Sequence, residues 1–189
     1  TILKKIYEEQ SVHIDKQMAG LMLSAIISDS LLFKSPTCTL RDKIAAEELA
    51  AIAEVNIEEY GLAMLKAGAS TTDKTAKTLI SLDAKEFVLG ADKLVVAQIN
   101  TVDANEVAVR KAELETAIKA ELDSKGLAAY VFVITNILTS DSEVLVLGEK
   151  QDKVAAAFGK TLENDFMTLE GVVSRKKQVV PQITEEFSK

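Results

Sequence analysis

The 189-residue chain has a single cysteine, Cys38, and a single histidine, His13. One thiol excludes an internal disulfide framework and any Cys-rich zinc site. One imidazole excludes a His-rich metal centre and every catalytic scheme that takes two histidines from this chain. No apolar run reaches the roughly 20 residues of a membrane span; the longest, residues 19–33, is interrupted by Asp29. Basic charge is not in excess either. Lys and Arg number 22 against 29 Asp and Glu, a net charge of -7, which argues against nucleic acid and anionic membrane as partners. GxGxxG, P-loop, Gly-x-Ser-x-Gly and HExxH motifs are missing, as are internal repeats and low-complexity stretches. Residues 1–9 read as a charged amphipathic helix rather than a signal peptide, so the expected location is cytoplasmic. The chain opens on Thr in mid-pattern, as a fragment or a processed product would.

What is present is a globular composition, 48% hydrophobic and 27% charged. Residues 19–33 are apolar nearly all round, the pattern of a fully buried helix. Thr39 followed by Asp42 predicts a capped helix running through Ile44, Leu49 and Ile52. Asn56 with Glu59 predicts another, with Ile57, Tyr60, Met64 and Leu65 as its apolar face and Gly68 as a left-handed stop. The short polar run 69–75 reads as a linker. Strands are expected over 85–89, 94–99, 128–134 and 144–147, with the middle two in the centre of a sheet covered on both faces. Between those two runs a long helix capped by Asp103 and ended near Gly126, and a shorter helix covers 151–158. This alternation predicts an α/β fold. The expected organisation is a helical piece over 1–68, without strands and therefore part of a larger domain, a hinge over 69–75, and an α/β domain over 76–189 with a mixed sheet flanked by helices.

Few residues carry chemistry on their own account. Asp29 sits in an apolar helix, where a buried carboxylate costs several kcal/mol unless it is paired or bound to a metal. It is either a functional acid, with Ser28 and Ser30 beside it, or a water-facing one at a helix end. Ser174-Arg175-Lys176-Lys177-Gln178 places three cations between Val172-Val173 and Val179-Val180. The cluster suits a polyanion such as phosphate, Arg as a fork and Lys as a point charge, or equally an edge strand carrying charges against aggregation. On a regular strand Arg175 and Lys176 point to opposite faces, so a shared ligand requires the backbone there to bend or leave the sheet. Lys85 by itself reads as a surface lysine at a strand start, His13 as structural and Cys38 as a buried, inert thiol.

Three stretches together resemble the family II, manganese-dependent inorganic pyrophosphatases of the DHH phosphoesterase superfamily. They are the run from Ala19 to Thr39 around Ser28-Asp29-Ser30, the run Tyr60-Gly61-Leu62-Ala63-Met64-Leu65-Lys66-Ala67-Gly68, and the run Gly171 to Pro181 around Ser174-Arg175-Lys176-Lys177-Gln178. The resemblance covers essentially the whole chain and aligns it with the C-terminal part of that family. It implies hydrolysis of pyrophosphate to two phosphates by a water activated between two metal ions. Asp29 then ligates one metal, while Lys85, Arg175 and Lys176 grip the substrate phosphates; no catalytic residue beyond these is assigned. The implied cofactor is Mn²⁺ or Co²⁺, with Mg²⁺ accompanying the substrate. The implied partners are pyrophosphate or phosphate, a missing N-terminal domain carrying most of the metal ligands, and a second copy in a homodimer. Domain closure about residues 69–75 on binding phosphate follows from the same scheme. An exopolyphosphatase of the same superfamily and a non-catalytic phosphate-binding module are the alternatives, and the isolated fragment is expected to be inactive.

Overall fold

A computed structural model describes residues 1–69, 71 and 73–189. The chain divides into two compact units, Thr1–Gly68 and Ala69–Lys189. The expected linker, residues 69–75, falls at the start of the second unit; two of its residues, Ser70 and Thr72, lie outside the described residues.

The first unit is helical among the described residues: α1 (Ile2–Glu9), α2 (Lys16–Ser30), α3 (Leu40–Ala53) and α4 (Ile57–Gly68). Asp15 caps α2 by accepting from the Met18 amide at 2.8 Å. Thr39 and Asp42 form a reciprocal capping box on α3. Asn56 accepts from the Glu58 and Glu59 amides, both at 3.0 Å, to start α4. The core is Ala19, Leu23, Ile27, Ala46 and Leu49, with Ile57, Tyr60, Met64 and Leu65 packed against it. Two expectations change here. Helix α2 stops at Ser30, three residues early, because Leu31, Leu32 and Phe33 all take left-handed backbone angles (φ 48, 51 and 66). It is also buried on one face only: Leu21 is 66% exposed, and Ala25, Ser28 and Asp29 are exposed beside it. Gly68 ends α4 as a helical residue and not as the left-handed stop.

The second unit contains α5 (Ala76–Ser81), β1 (Ala84–Leu89), β2 (Asp92–Thr101), α6 (Ala104–Ala108), α7 (Lys111–Lys125), β3 (Ala129–Asn136), β4 (Asp141–Leu147), α8 (Gln151–Ala156), β5 (Phe166–Leu169) and α9 (Val180–Phe187). The five strands form one mixed sheet in the order β1-β2-β3-β4-β5. Only β2 and β3 run parallel, and α6 and α7 make the crossover between them. Alternate residues of β2 and β3 face two separate cores, so residues 94–97 and 129–134 are apolar without a break. One core gathers Val95, Ala97, Tyr130 and Phe132 under Leu79, Leu114 and Ile118. The other gathers Val96, Val131, Val133 and Val144 under Val154, Val179 and Ile183. The α/β class, the mixed sheet and its flanking helices are as the sequence predicts.

The details differ in three places. The expected long helix is two, α6 and α7, with Val109 and Arg110 between them. Strand β5 and helix α5 have no counterpart in the sequence reading, being short elements of four and six residues. The apolar run around the three cations is not a strand. Arg175–Val179 forms a wide, π-helical turn that continues into α9. No helix among the described residues is long and apolar enough to cross a membrane.

Candidate phosphate-binding site

In the second unit, Lys85 lies near the start of β1 and is exposed. It pairs with Val96 in the antiparallel register and shares a sheet face with Phe87 and Leu89, the face covered by α8, α9 and the Arg175 turn. Arg175 comes to the same place from the far end of the sequence. Its guanidinium donates to the backbone oxygens of Asp83 and Val96, the latter at 3.3 Å. It also donates to the Asp83 carboxylate at 2.9 Å. The Arg175 side chain is only 10% exposed, Asp83 56%. The three bonds hold the fork over the first residues of β1, with Lys85 in the neighbouring register position.

Lys176 follows on the π-helical turn and is exposed. A helical turn separates successive side chains by about 100° instead of the 180° of a strand. The backbone has therefore left the sheet, the condition under which Arg175 and Lys176 can serve one ligand. Lys85, Arg175 and Lys176 thus belong to one compact unit and to one side of its sheet.

The loop from Gly171 to Ser174 that delivers Arg175 has almost no backbone partners of its own. Side chains replace them. Gln178 accepts from the Val173 and Ser174 amides, each at 3.0 Å, and donates to Gly171 oxygen at 2.8 Å. Gln98 and Ser142 reach up from β2 and β4 to the same segment, and Thr135 on β3 between them bonds both. Sequence reading missed these residues and Asp83. The available signal was a polar residue inside an otherwise apolar run, as Gln98 is within residues 94–99.

In the first unit, Asp29 lies on the last turn of α2 with an exposed side chain, on the stripe of Leu21 and Ala25. It therefore faces water and is not an acid buried in a core. Ser30 is not its partner, because that hydroxyl donates to Ile26 oxygen at 2.7 Å. A groove of about 600 Å³ runs past it, lined also by Ala25, Cys38, Arg41 and Asp42. Burial, with Asp42 adding to it, pushes the thiol of the half-buried Cys38 up, which favours its protonated form. Asp42 is drawn into helix capping, and the hydroxyls of Thr1 and then Thr39 hold its carboxyl below the usual range. Asp29 fits a hard cation as a single oxygen donor. Among the described residues no three His, Cys, Asp or Glu gather to complete a metal centre. His13 is exposed on the segment before α2. A second cleft, of about 490 Å³, lies beside β4 and β5 between Glu143, Lys160 and Thr168 and contains none of the predicted site residues.

Residues 62–186 match the DHHA2 domain. A relative from Bacillus cytotoxicus, named as a probable manganese-dependent inorganic pyrophosphatase, is 59% identical over 99% of this chain and 60% of its own length. One of the same name from an Exiguobacterium species is 60% identical over the whole chain and 61% of its own length. This chain therefore spans about three fifths of these relatives. A crystal structure from Methanococcus jannaschii, of a protein assigned to the family II inorganic pyrophosphatases, superposes with a TM-score of 0.84 at 39% identity, covering 94% of this chain and 58% of that one. With most of the α/β unit, Lys85, Arg175 and Lys176 included, inside the matched residues, the chain belongs to the DHHA2 domain family.

Proposed function

We propose that this chain is the phosphate-gripping part of a manganese-dependent inorganic pyrophosphatase. The observation that carries this reading is that Arg175 is bonded to Asp83 and Val96 at the start of β1, with Lys85 in the neighbouring register position some ninety residues away in sequence; Lys176, next to Arg175 on the exposed turn, is assigned to the same ligand in this proposal. Pyrophosphate is a tetraanion when fully ionised, and its cleavage shifts further charge onto the leaving phosphate. A fixed guanidinium fork with lysines beside it neutralises that charge, each contact contributing about 2–3 kcal/mol in an enclosed site. The buried part of Arg175 is rigid, so little side-chain entropy is lost when the anion arrives. Asp83 neutralises the guanidinium in the absence of ligand and shares it once phosphate binds.

In this reading residues 76–189 are the substrate-binding domain, residues 1–68 the helical end of a metal-binding domain, and 69–75 the linker. Asp29 is one ligand of the metal centre, Mn²⁺ or Co²⁺, with Mg²⁺ entering on the substrate. The metal, when bound, supplies activation of the attacking water. The remaining ligands come from protein outside this chain, which agrees with the greater length of the relatives. The exposed apolar residues Ile2, Leu3, Leu21, Leu40 and Ile44 of the helical unit suit cover by the same protein. The longer protein is a homodimer in this proposal.

The test has two arms. The 189-residue chain with Mn²⁺ and pyrophosphate is expected to show no turnover, and robust hydrolysis by it alone would refute the assignment of the metal centre to other protein. In the longer enzyme, Arg175→Ala is expected to weaken substrate use by at least about tenfold while leaving Mn²⁺ affinity unchanged. Unaltered kinetics would remove Arg175 from the site.

A further inference from the structure

The Arg175 loop rests on a row of polar side chains, and the direction of every hydrogen bond in that row is fixed by chemistry. Gln98 on β2 spans the loop. Its Oε1 accepts from the Arg175 backbone N–H at 3.1 Å, and its Nε2 donates to Val173 oxygen at 3.0 Å and to Thr135 Oγ1 at 2.8 Å. A backbone amide only donates and a carbonyl only accepts, so the Gln98 amide has one permitted orientation. Thr135 on β3 receives the Gln98 hydrogen and must spend its own on Ser142 Oγ of β4, 2.8 Å away. Ser142 then donates to Val172 oxygen at 2.6 Å. Thr135 and Ser142 pair in register and are fully buried. No hydrogen is left over along the row, and no member can reverse without leaving a buried polar atom unpaired.

The cost of polar residues at these positions shows what they are for. The same face of β2, β3 and β4 is otherwise Leu94, Val96, Val131, Val133, Val144 and Val146, all buried. Three polar groups at one end of that face are expensive unless each finds its partners; Gln98 and Ser142 find theirs in backbone atoms of residues 172, 173 and 175, and Thr135 finds its own in Gln98 and Ser142. Arg175 also begins a helical turn, whose first amides have no partner within the helix. Gln98 supplies the one that Arg175 needs.

We infer that Gln98, supported by Thr135 and Ser142, is a positioning residue for the phosphate cations: the one-way row sets the backbone from Val172 to Arg175, and through it where the Arg175 fork and Lys176 stand beside Lys85. The link to phosphate rests on the reading proposed above, whereas the hydrogen-bond order does not.

Amide exchange and binding, measured on the same samples of the 189-residue chain, separate the two. Gln98→Leu removes the cap, and Thr135→Val removes the central oxygen at nearly constant shape; Thr135→Ser keeps the hydroxyl. In Gln98→Leu the Arg175 amide is expected to exchange at least about tenfold faster, with its proton resonance shifted, while Val131 and Val133 in the sheet core keep their protection. Thr135→Val moves the same amide in the same direction, and Thr135→Ser restores it. Calorimetric titration with pyrophosphate is expected to show at least about tenfold weaker binding in the first two variants. An Arg175 amide that exchanges at the wild-type rate in both Gln98→Leu and Thr135→Val overturns the positioning role. Weaker exchange protection with unchanged pyrophosphate affinity overturns it as well. A wild-type chain that binds no pyrophosphate counts against the phosphate reading, and the exchange rates then decide the row by themselves.

Discussion

Tyr130 offers a test of how the start of β1 is held. It is 2% exposed in the centre of the sheet, and its hydroxyl donates to Ile80 oxygen at 2.6 Å. Ile80 lies in the last turn of α5, where carbonyls have no partner within the helix. The bond therefore ties the end of α5 to β3, three residues before Asp83. Tyr130→Phe keeps the ring and leaves that carbonyl dry and unpaired. A buried group stripped of its partner costs about 1–3 kcal/mol, and for a unit of this size a 2 kcal/mol loss lowers the melting temperature by roughly 6–10 °C. Alkaline pH supplies a second, independent signature. Burial, followed by the charge of Glu121, pushes the Tyr130 hydroxyl well above the usual phenol range. The unfolded chain then releases its tyrosine proton from about pH 10 upward while the folded chain retains it, so stability falls as pH rises, by about 1.4 kcal/mol per pH unit. The assay is urea unfolding of both proteins at pH 7 and across pH 9.5–11. Tyr130→Phe should be less stable at pH 7 and should lack this component of the alkaline decline. A variant within about 0.5 kcal/mol of wild type, with the same alkaline slope, would refute the reasoning.

Other outcomes follow from local geometry. Gly148 has φ of 121° at the end of β4, and a Cβ there would stand 2.5 Å from Ala128 oxygen and 2.8 Å from Ala129 Cα. Neither backbone atom can yield, so Gly148→Ala should destabilise the α/β unit by about 3–5 kcal/mol in denaturant titration; a loss under 1 kcal/mol would show that the strand end relaxes freely. In the helical unit, the capping box on α3 gives Asp42 a depressed pKa, first through the Thr1 hydroxyl and then through Thr39. Its contribution is complete above the ordinary aspartate value of about 4 and disappears as pH falls through the lower folded value. Asp42→Ala should therefore cost about 0.5–1 kcal/mol at neutral pH and little once the native carboxylate is protonated, a convergence that acid titration followed by circular dichroism would reveal.

The parts of this fold legible in the sequence are those set by local pattern. Residues 94–97 and 128–134 are apolar at successive positions because both sheet faces are covered, and the Thr39–Asp42 box is a contact between near neighbours. Of the candidate site, Arg175 and Lys176 were legible as a cluster of cations in an acidic chain, whereas Lys85 by itself reads as a surface lysine and entered only through the family resemblance. Their arrangement was not. The valines flanking Arg175 imitate a strand, and what prevents one is Gln98, Ser142 and Gln178, with Thr135 tying the first two together; Gln98 and Ser142 lie 30 to 77 residues from the backbone they hold. Helix α2 ran past its true end for a similar reason. Leu31, Leu32 and Phe33 have no local preference for left-handed angles; Ser30 fixes the turn, its backbone oxygen accepting from Ser35 at 2.8 Å and its hydroxyl from Phe33 at 3.2 Å. Asp29, left open between a functional acid and a water-facing one, is on the uncovered side of the same helix.

Chemical-shift mapping of pyrophosphate onto the isotope-labelled 189-residue chain addresses the central claim most directly. The account predicts saturable shifts confined to Asp83, Lys85 and the turn from Ser174 to Gln178, with the Arg175 guanidinium resonance moving most. Shifts centred instead on Lys160 and Thr168 in the cleft beside β5, or none at millimolar pyrophosphate, would contradict it.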